Sequence, residues 1–265
     1  MRTTPRKTLV AIFSSLAKIA IKKHKIRLMI IVGNTATDVA RELIYTVLKD
    51  KVNVRRNTNS IWWDLSVPLN ILGYDDRRYT ALGWVKTFVS IVIALLLNKS
   101  NPQLIILNAD SANKSTVKYW TDLVEPEYLV VLNYQGNTAL TDEFVLRTIN
   151  KSGTIVIPAK VVEEIPLLKK NKYKKIITYA NVNSDLIIKT TSKGEIHVKY
   201  DSEEKLLNRK ALPANSTLIA GAMFIVAANE GISLDDALFS SLKYTFPTKL
   251  LSRIKTNLNN NQFNV

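Results

Sequence analysis

Residues 27–48 read RLMIIVGNTATDVARELIYTVL, and this stretch decides the fold. Arg27–Val32 is a short run rich in branched apolar residues, the pattern of a fully buried strand. Gly33 ends the run, and from Asp38 onward the apolar residues Val39, Leu43, Ile44 and Val47 recur at helical spacing. A strand, a glycine turn and a helix form the arrangement in which nucleotide-binding folds hold phosphate on the backbone N–H groups of a helix N-terminus.

The loop between this strand and this helix departs from the phosphate-binding pattern. A phosphate loop ends in Gly-Lys-Ser/Thr, where the lysine serves the β- and γ-phosphates and the hydroxyl binds Mg²⁺. The corresponding residues here are Ala-Thr-Asp, so the lysine is missing and a carboxylate stands where phosphate charge would lie. We therefore expect the loop to keep its shape without its chemistry. The candidate cofactor-binding residues are Gly33, Asn34, Thr35, Ala36, Thr37 and Asp38.

Composition limits the possible classes of protein. The chain has 265 residues, of which 46% are hydrophobic and 22% charged, as in a globular protein with one large domain or one domain and a small appendage. It contains no cysteine, which excludes disulfides and thiolate metal sites. Its two histidines lie far apart in sequence, so zinc sites and catalytic triads have little support.

The net charge is strongly positive. Lysine and arginine number 37 against 22 aspartate and glutamate residues, which gives a formal charge of +15. Such a charge favours anionic partners, namely nucleic acid, acidic lipid or a nucleotide-activated sugar acid. A solvated, lysine-rich surface is the simpler interpretation, and we favour it slightly because the lysines are spread along the chain.

Two apolar segments bear on membrane contact. Residues 1–26 combine basic residues with helical apolar spacing and predict an amphipathic helix, which would rest on the body of the protein or, less favoured, on an anionic membrane surface. Thr80–Leu97 is strongly apolar, but its uninterrupted part, Thr87–Leu97, is shorter than the roughly 20 residues of a spanning helix. A buried or interfacial helix is therefore predicted there.

The rest of the chain alternates strand-like and helix-like segments. This alternation predicts an α/β fold, with a mostly parallel sheet flanked by helices on both faces over residues 27–256 and a frayed tail at 257–265. A small hairpin insertion is expected at Leu186–Lys189 and Ile196–Tyr200. Other predicted strands are Lys51–Arg56, Gln103–Leu107, Leu129–Leu132, Thr154–Ile157 and Lys175–Tyr179, and other helices are Thr116–Val124, Thr141–Asn150, Ser216–Glu230 and Ser233–Leu242.

Ligands of such sheets bind at the carboxyl ends of the strands. The loops expected at that rim are Gly33–Asp38, Asn108–Ser115, Asn133–Thr138 and Pro158–Lys160, and they contain few acid–base residues.

The segment WWDLSVPLNILG at Trp62–Gly73 and the loop at Gly33–Val39 together carry a family resemblance. With the order of segments, they resemble the central, ATP-binding domain of the Mur ligases, which join amino acids to the UDP-muramoyl peptides of cell-wall precursors. The nearest branch is the one that adds D-alanyl-D-alanine to UDP-N-acetylmuramoyl-tripeptide. The resemblance runs from about Leu9 to Lys255 and implies a phosphate-loop α/β fold without the family's C-terminal domain.

The departures from the family fall at its working positions. The resemblance implies that Asn108 replaces the Mg²⁺-binding glutamate and that Asn133 is kept, with Asp110 nearby as a substitute carboxylate or, more simply, a capping residue. Lys114, Lys160 and Lys249 could supply positive charge, although solvated surface lysines are the favoured interpretation. The candidate substrate-binding residues are Trp62, Trp63, Asn108, Asp110 and Asn133; the tryptophans would equally close a hydrophobic gap.

These departures lead to three hypotheses. The first is a catalytically inactive Mur-ligase-like protein that binds a cell-wall precursor, an active ligase or a membrane surface, with no catalytic residue and no metal. Residual ATP binding stays open, whereas Mg²⁺ is not expected. The second is a divergent ATP-dependent acid–amino-acid ligase that needs a partner chain. The third is a basic module for acidic lipid or nucleic acid, with nucleic acid ranked last because no recognition motif is present. The expected location is the cytoplasm, including the inner face of the membrane.

Overall fold

The computed structural model describes residues 4–33, 36–57, 65–74, 80–97, 102–110, 123–133, 153–164, 168, 175–180, 183–190, 195–208 and 217–243. The predicted helix at Thr141–Asn150, most of the helix at Thr116–Val124 and the tail at 257–265 lie outside these residues. Strands in the described residues are β1 (Arg27–Gly33), β2 (Val54–Arg56), β3 (Leu104–Asp110), β4 (Tyr128–Val131), β5 (Thr154–Pro158), β6 (Lys175–Tyr179), β7 (Leu186–Thr190), β8 (Glu195–Tyr200) and β9 (Glu203–Asn208). Helices there are α1 (Thr4–His24), α2 (Thr37–Leu48), α3 (Ser66–Leu72), α4 (Ala81–Leu96), α5 (Ala159–Glu164), α6 (Thr217–Asn229) and α7 (Leu234–Leu242).

The described strands form one sheet in the order β2-β3-β1-β4-β5-β6-β7-β8-β9. Neighbouring strands run parallel from β2 to β7, and the last two pairs are antiparallel. The predicted α/β class is therefore confirmed. The hairpin at β7–β8 also forms, but it extends the edge of the main sheet together with β9, which the sequence analysis did not predict.

The core lies on both faces of the sheet because successive strand residues point to opposite sides. On one face, Met29 and Ile31 of β1 pack with helices α2, α6 and α7. On the other, Leu28, Ile30 and Val32 pack with α1, α3 and α5. Both faces are thus covered, which explains why the central strands read as unbroken apolar runs.

Strand β3 is longer than predicted, and this difference matters for the rim of the sheet. The expected strand ended at Leu107 and the expected loop began at Asn108, because Asn-Ala-Asp is a polar sequence. In the structure β3 continues to Asp110, since its backbone stays paired with β1 up to the partners Gly33 and Asp110. Asn108 is consequently buried inside the sheet rather than exposed in a loop.

An ion pair lies at the opposite end of the sheet, where β1 begins. Arg27 donates from both terminal nitrogens to Glu230 after α6, at 2.8 and 2.7 Å. The Tyr128 hydroxyl donates to the same carboxylate at 2.7 Å. Burial would raise the pKa of Glu230, but the hydrogen bonds from Arg27 and Tyr128 and the guanidinium charge outweigh it and lower that pKa.

The lowered pKa predicts a loss of stability in acid. A carboxyl whose pKa is depressed by folding stabilises the protein above its unfolded pKa of about 4.3 and loses that contribution as the pH falls through the folded value. We expect the unfolding free energy of the wild-type chain to drop below about pH 4, measured by urea denaturation across a pH series, and Glu230→Gln to flatten that drop. Glu127→Gln is the matched control, because Glu127 lies 3.4 Å from Arg27 and is more exposed. An unchanged acid slope in Glu230→Gln would contradict the assignment.

Helix α1 packs on the body of the protein. Phe13, Ala17 and Ala20 are buried, and α1 lies against α3. Within the part of the chain that the structure describes, no helix is both long enough and apolar enough to traverse a bilayer.

Candidate functional site

Strands β3 and β4 lie on opposite sides of β1, so the order of the strands reverses at β1. In sheets of this kind the ligand crevice lies at the carboxyl end of the strands at such a reversal. Gly33 ends β1 there and pairs with Asp110 at the end of β3. A Cβ atom at Gly33 would lie 2.8 Å from Asn133 Oδ1 and 3.3 Å from Leu132 Cβ, so Gly33 lies directly against the segment after β4, and a larger residue would require the Asn133 side chain to move. The structure therefore brings Gly33, Asp110 and Asn133 together at one rim.

The turn into α2 keeps an unusual backbone conformation. Ala36, the residue before α2, has φ 63° and ψ 11°, which is the left-handed region that favours glycine. The family resemblance places a glycine at this position of the phosphate loop. The N-terminus of α2 is also left without a side-chain cap from Ala36.

We expect Ala36→Gly to stabilise the protein by about 0.5–1 kcal/mol, because the left-handed region costs an alanine about 1–2 kcal/mol and glycine loses part of that gain in entropy. Urea denaturation measures the change. Ala11→Gly, in the exposed middle of α1, is the control and should lose about 1 kcal/mol. A loss of stability in Ala36→Gly would contradict the observed turn.

Below this turn, a buried arginine connects α2 to β3. Arg41 is 2% exposed, and its Nη1 lies 3.0 Å from Asp38 Oδ1 and donates to Asn108 Oδ1 at 2.7 Å. Asn108 Nδ2 donates to Asp38 Oδ1 at 2.7 Å. Asn57, after β2, donates from Nδ2 to Asn108 Oδ1 at 2.6 Å and accepts the Asn108 N–H at 3.2 Å. One guanidinium, one carboxylate and two amides are thus joined by hydrogen bonds to one another.

A second arginine completes the cluster. Glu42 Oε1 accepts from Nε and Nη2 of Arg41 at 3.1 and 2.9 Å. Arg56 donates from Nε to both oxygens of Glu42 at 2.7 Å and lies over the Tyr45 ring at 3.8 Å. We call the set of Asp38, Arg41, Glu42, Arg56, Asn57 and Asn108 the Arg41 network.

The electrostatics of the Arg41 network differ from those of a magnesium site. Its two carboxylates are balanced by its two guanidinium groups, and the oxygen of Asn108 accepts from Arg41 and Asn57. Magnesium binds through free carboxylate oxygens and water in octahedral geometry, so these side chains do not fit Mg²⁺ as they stand. Among the residues that the structure describes, no three His, Asp or Glu side chains are grouped so as to hold a metal ion.

The predicted site residues divide into three groups. Asn34, Thr35, Trp62, Trp63, Lys114 and Lys249 lie outside the described residues. Gly33, Ala36, Thr37, Asp38, Asn108, Asp110 and Asn133 lie at the rim or directly below it, and Lys160 is exposed on α5. The sequence did not predict four further members of the site, Arg41, Glu42, Arg56 and Asn57. Arg41 carried a signal, because it follows Asp38 by three residues on a helix and stands, with Glu42, between the apolar pairs Val39–Ala40 and Leu43–Ile44.

The chain has the Mur ligase fold, because solved structures of Mur ligases align with most of it. It is similar to UDP-N-acetylmuramoylalanyl-D-glutamyl-2,6-diaminopimelate–D-alanyl-D-alanyl ligase from Acinetobacter baumannii, with 14% identity, TM-score 0.64 and 89% of this chain covered. MurF ligase from Thermotoga maritima, solved in complex with ADP, has TM-score 0.59, 12% identity and the same 89% coverage.

A pseudomurein peptide ligase type C from Methanothermus fervidus is also similar, with TM-score 0.53, 12% identity and 84% of this chain covered. The alignments cover 50% of the Acinetobacter and Methanothermus proteins and 53% of the Thermotoga protein, so this chain spans about half the length of the ligases it matches. No family model and no curated protein sequence matches it.

Proposed function

We propose that this protein uses the Mur ligase fold for binding and does not itself ligate. The observation that supports the proposal is Arg41, whose buried positive charge lies beside Asn108, the position of the family's Mg²⁺-binding glutamate, and neutralises Asp38 of the loop. A fixed internal cation thus stands in the region where a ligase would need a metal ion and a lysine.

The chemistry of ligation explains why this substitution matters. Mur-type ligation transfers a phosphoryl group from ATP to a carboxylate, and positioning and charge stabilisation account for most of the catalysis of such transfers. Loss of one charge-stabilising donor typically lowers the rate about a hundredfold to a thousandfold. The loop lysine and the metal carboxylate are both replaced here, so an active centre formed by this chain alone is not expected.

The proposed partner is a cell-wall precursor or an active Mur ligase. Either partner would reach the rim at Gly33, Asp110 and Asn133, beside the left-handed turn at Ala36. The loop residues Gly33–Asp38 are the proposed contact region. Asn108 holds the start of helix α2 in place through its hydrogen bonds with Asp38 and Arg41.

The backbone conformation of Ala36 favours a second candidate, an ATP-dependent ligase that takes its missing groups from a partner chain. Ala36 keeps the left-handed turn although glycine would be less strained there. The family's phosphate loop has a glycine at this position, so the turn favours a nucleotide at the loop, which a ligase needs and a protein that only binds a cell-wall precursor does not. This candidate predicts that a co-purifying polypeptide restores amide-bond formation.

An assay of ATP hydrolysis with the purified chain tests the proposal. We expect no hydrolysis above the buffer rate, with or without Mg²⁺. Magnesium-dependent hydrolysis that is abolished by Asp38→Ala would overturn the proposal, because a contaminating ATPase would not respond to that substitution. Leu206→Ala is the control variant, because Leu206 is exposed on β9, far from the rim, and its replacement should leave the measured rate unchanged.

A further inference from the structure

Helix α4 exposes an apolar face to solvent. Leu82, Val85 and Leu96 are 66%, 59% and 71% exposed, and Val89 and Ile93 continue the same side of the helix. Ile91 on the opposite side is buried against Phe13, Leu65 and Leu69. The exposed stripe is about 20 Å long at 1.5 Å per residue. Soluble monomers rarely leave such a continuous apolar face uncovered unless it binds something.

Helix α1 extends this face. The ring centroids of Phe13 on α1 and Trp84 on α4 lie 5.5 Å apart, and Lys23 Nζ donates to the Leu95 carbonyl at 2.6 Å. Both contacts advance in the same direction along the two helices, so α1 and α4 run side by side and parallel. Ile12 and Ile19, at 39% and 52% exposed, lie on the same side of α1 as Lys23, whose side chain reaches α4.

The charged side chains that helices α1 and α4 themselves carry are all basic. Neither α1 nor α4 contains an aspartate or a glutamate. Lys18 and Lys22 on α1 and Lys86 on α4 are exposed. An apolar stripe beside lysines is the pattern of helices that lie in the headgroup region of a membrane, with the apolar side in the acyl boundary and the lysines at anionic headgroups.

We propose that the α1–α4 face, defined by the exposed apolar residues of α4, Ile12, Ile19 and the flanking lysines, docks on an anionic lipid surface. A second copy of the chain fits less well, because pairing two such faces would bring lysines against lysines. This surface does not include the rim at Gly33, so membrane docking and ligand binding can fail independently.

Co-sedimentation of the full chain with vesicles tests this proposal. We expect binding to vesicles that contain phosphatidylglycerol, weaker binding at high salt, and little binding to pure phosphatidylcholine. Val85→Asp combined with Leu96→Asp should lower the partition coefficient by about tenfold or more, because charged groups would enter the acyl boundary. Lys18→Glu combined with Lys22→Glu should lower it by at least about tenfold, since each lysine near an anionic surface contributes about 1 kcal/mol.

Phe239→Asp is the matched control, because Phe239 is 66% exposed on α7, away from the α1–α4 face, and its replacement should leave vesicle binding unchanged. Unfolding curves of all variants should match the wild type, since every changed side chain is exposed. Three results would overturn the proposal: no binding to anionic vesicles, equal loss with Phe239→Asp, or a dimer in solution that Val85→Asp with Leu96→Asp dissociates while vesicles are not bound.

Discussion

Replacing Arg41 by methionine is expected to lower the unfolding free energy by about 3 kcal/mol. Removal of one partner from a buried ion pair typically costs 3–5 kcal/mol, because the remaining charge loses both its partner and its water. The lower end applies here, since the Asp38 side chain is 26% exposed and Glu42 keeps Arg56. Urea denaturation at neutral pH measures the loss.

Two further variants separate this effect from general damage. Lys51→Met removes a surface ion pair whose two side chains are more than half exposed, and it should change stability by no more than about 0.5 kcal/mol. Adding Asp38→Asn to Arg41→Met should recover part of the loss, because an amide is less costly to leave unpaired than a carboxylate. If Arg41→Met lowers the unfolding free energy by less than about 1 kcal/mol, the Arg41 network does not hold helix α2 in place.

Gly221→Ala is the second large effect, with an expected loss of about 2 kcal/mol. Gly221 lies in α6, and a Cβ atom there would come within 2.5 Å of Tyr179 Cδ2. The ring cannot retreat, because Tyr179 is fully buried and its hydroxyl donates to the Val131 carbonyl at 2.8 Å. Overpacking of this kind costs about 1–3 kcal/mol. The sign is diagnostic, since alanine in place of a helical glycine would otherwise stabilise by about 0.5–1 kcal/mol.

Gly231→Ala provides the comparison for this change. Gly231 has φ +74° and no atom within 4 Å of a built Cβ, so only the backbone conformation is strained. We expect about 1 kcal/mol of loss there by urea denaturation, from the left-handed region alone. A stabilising Gly221→Ala would mean that α6 does not pack on Tyr179 as described.

The order of most elements could be predicted from the sequence because it depends on local patterns, but helices α3 and α5 and strand β9 were not predicted. The run at Arg27–Val32, the glycine that ends it and the apolar spacing of α2 each carry their own signal. The predicted helix at Ser233–Leu242 likewise begins with a capping residue, and the Ser233 hydroxyl accepts the Asp236 N–H at 3.1 Å. Strand β9 was missed because Glu203–Asn208 begins with three charged residues and has few β-branched ones.

The interior of the site could not be predicted, because it depends on tertiary pairing. Asn108 and Asp110 look like loop residues until the register with β1 buries the first and brings the second next to Gly33. Arg56 and Asn57 come from the end of a strand only three residues long, and their partners lie on α2 and β3. The sequence indicated that the lysine of a phosphate loop is absent, but it did not indicate that Arg41 would pair with Asp38 and Asn108.

Thermal unfolding with ATP, in the presence and absence of Mg²⁺, tests most directly whether Arg41 occupies the place of the metal ion that a ligase needs to bind ATP. A ligand at one hundred times its dissociation constant stabilises the native state by about 2.7 kcal/mol, which such a measurement detects easily. We predict that Mg²⁺ adds nothing to the midpoint shift that ATP alone produces, whatever the size of that shift. A shift that requires Mg²⁺ and disappears in Asp38→Ala would contradict a loop that works without metal.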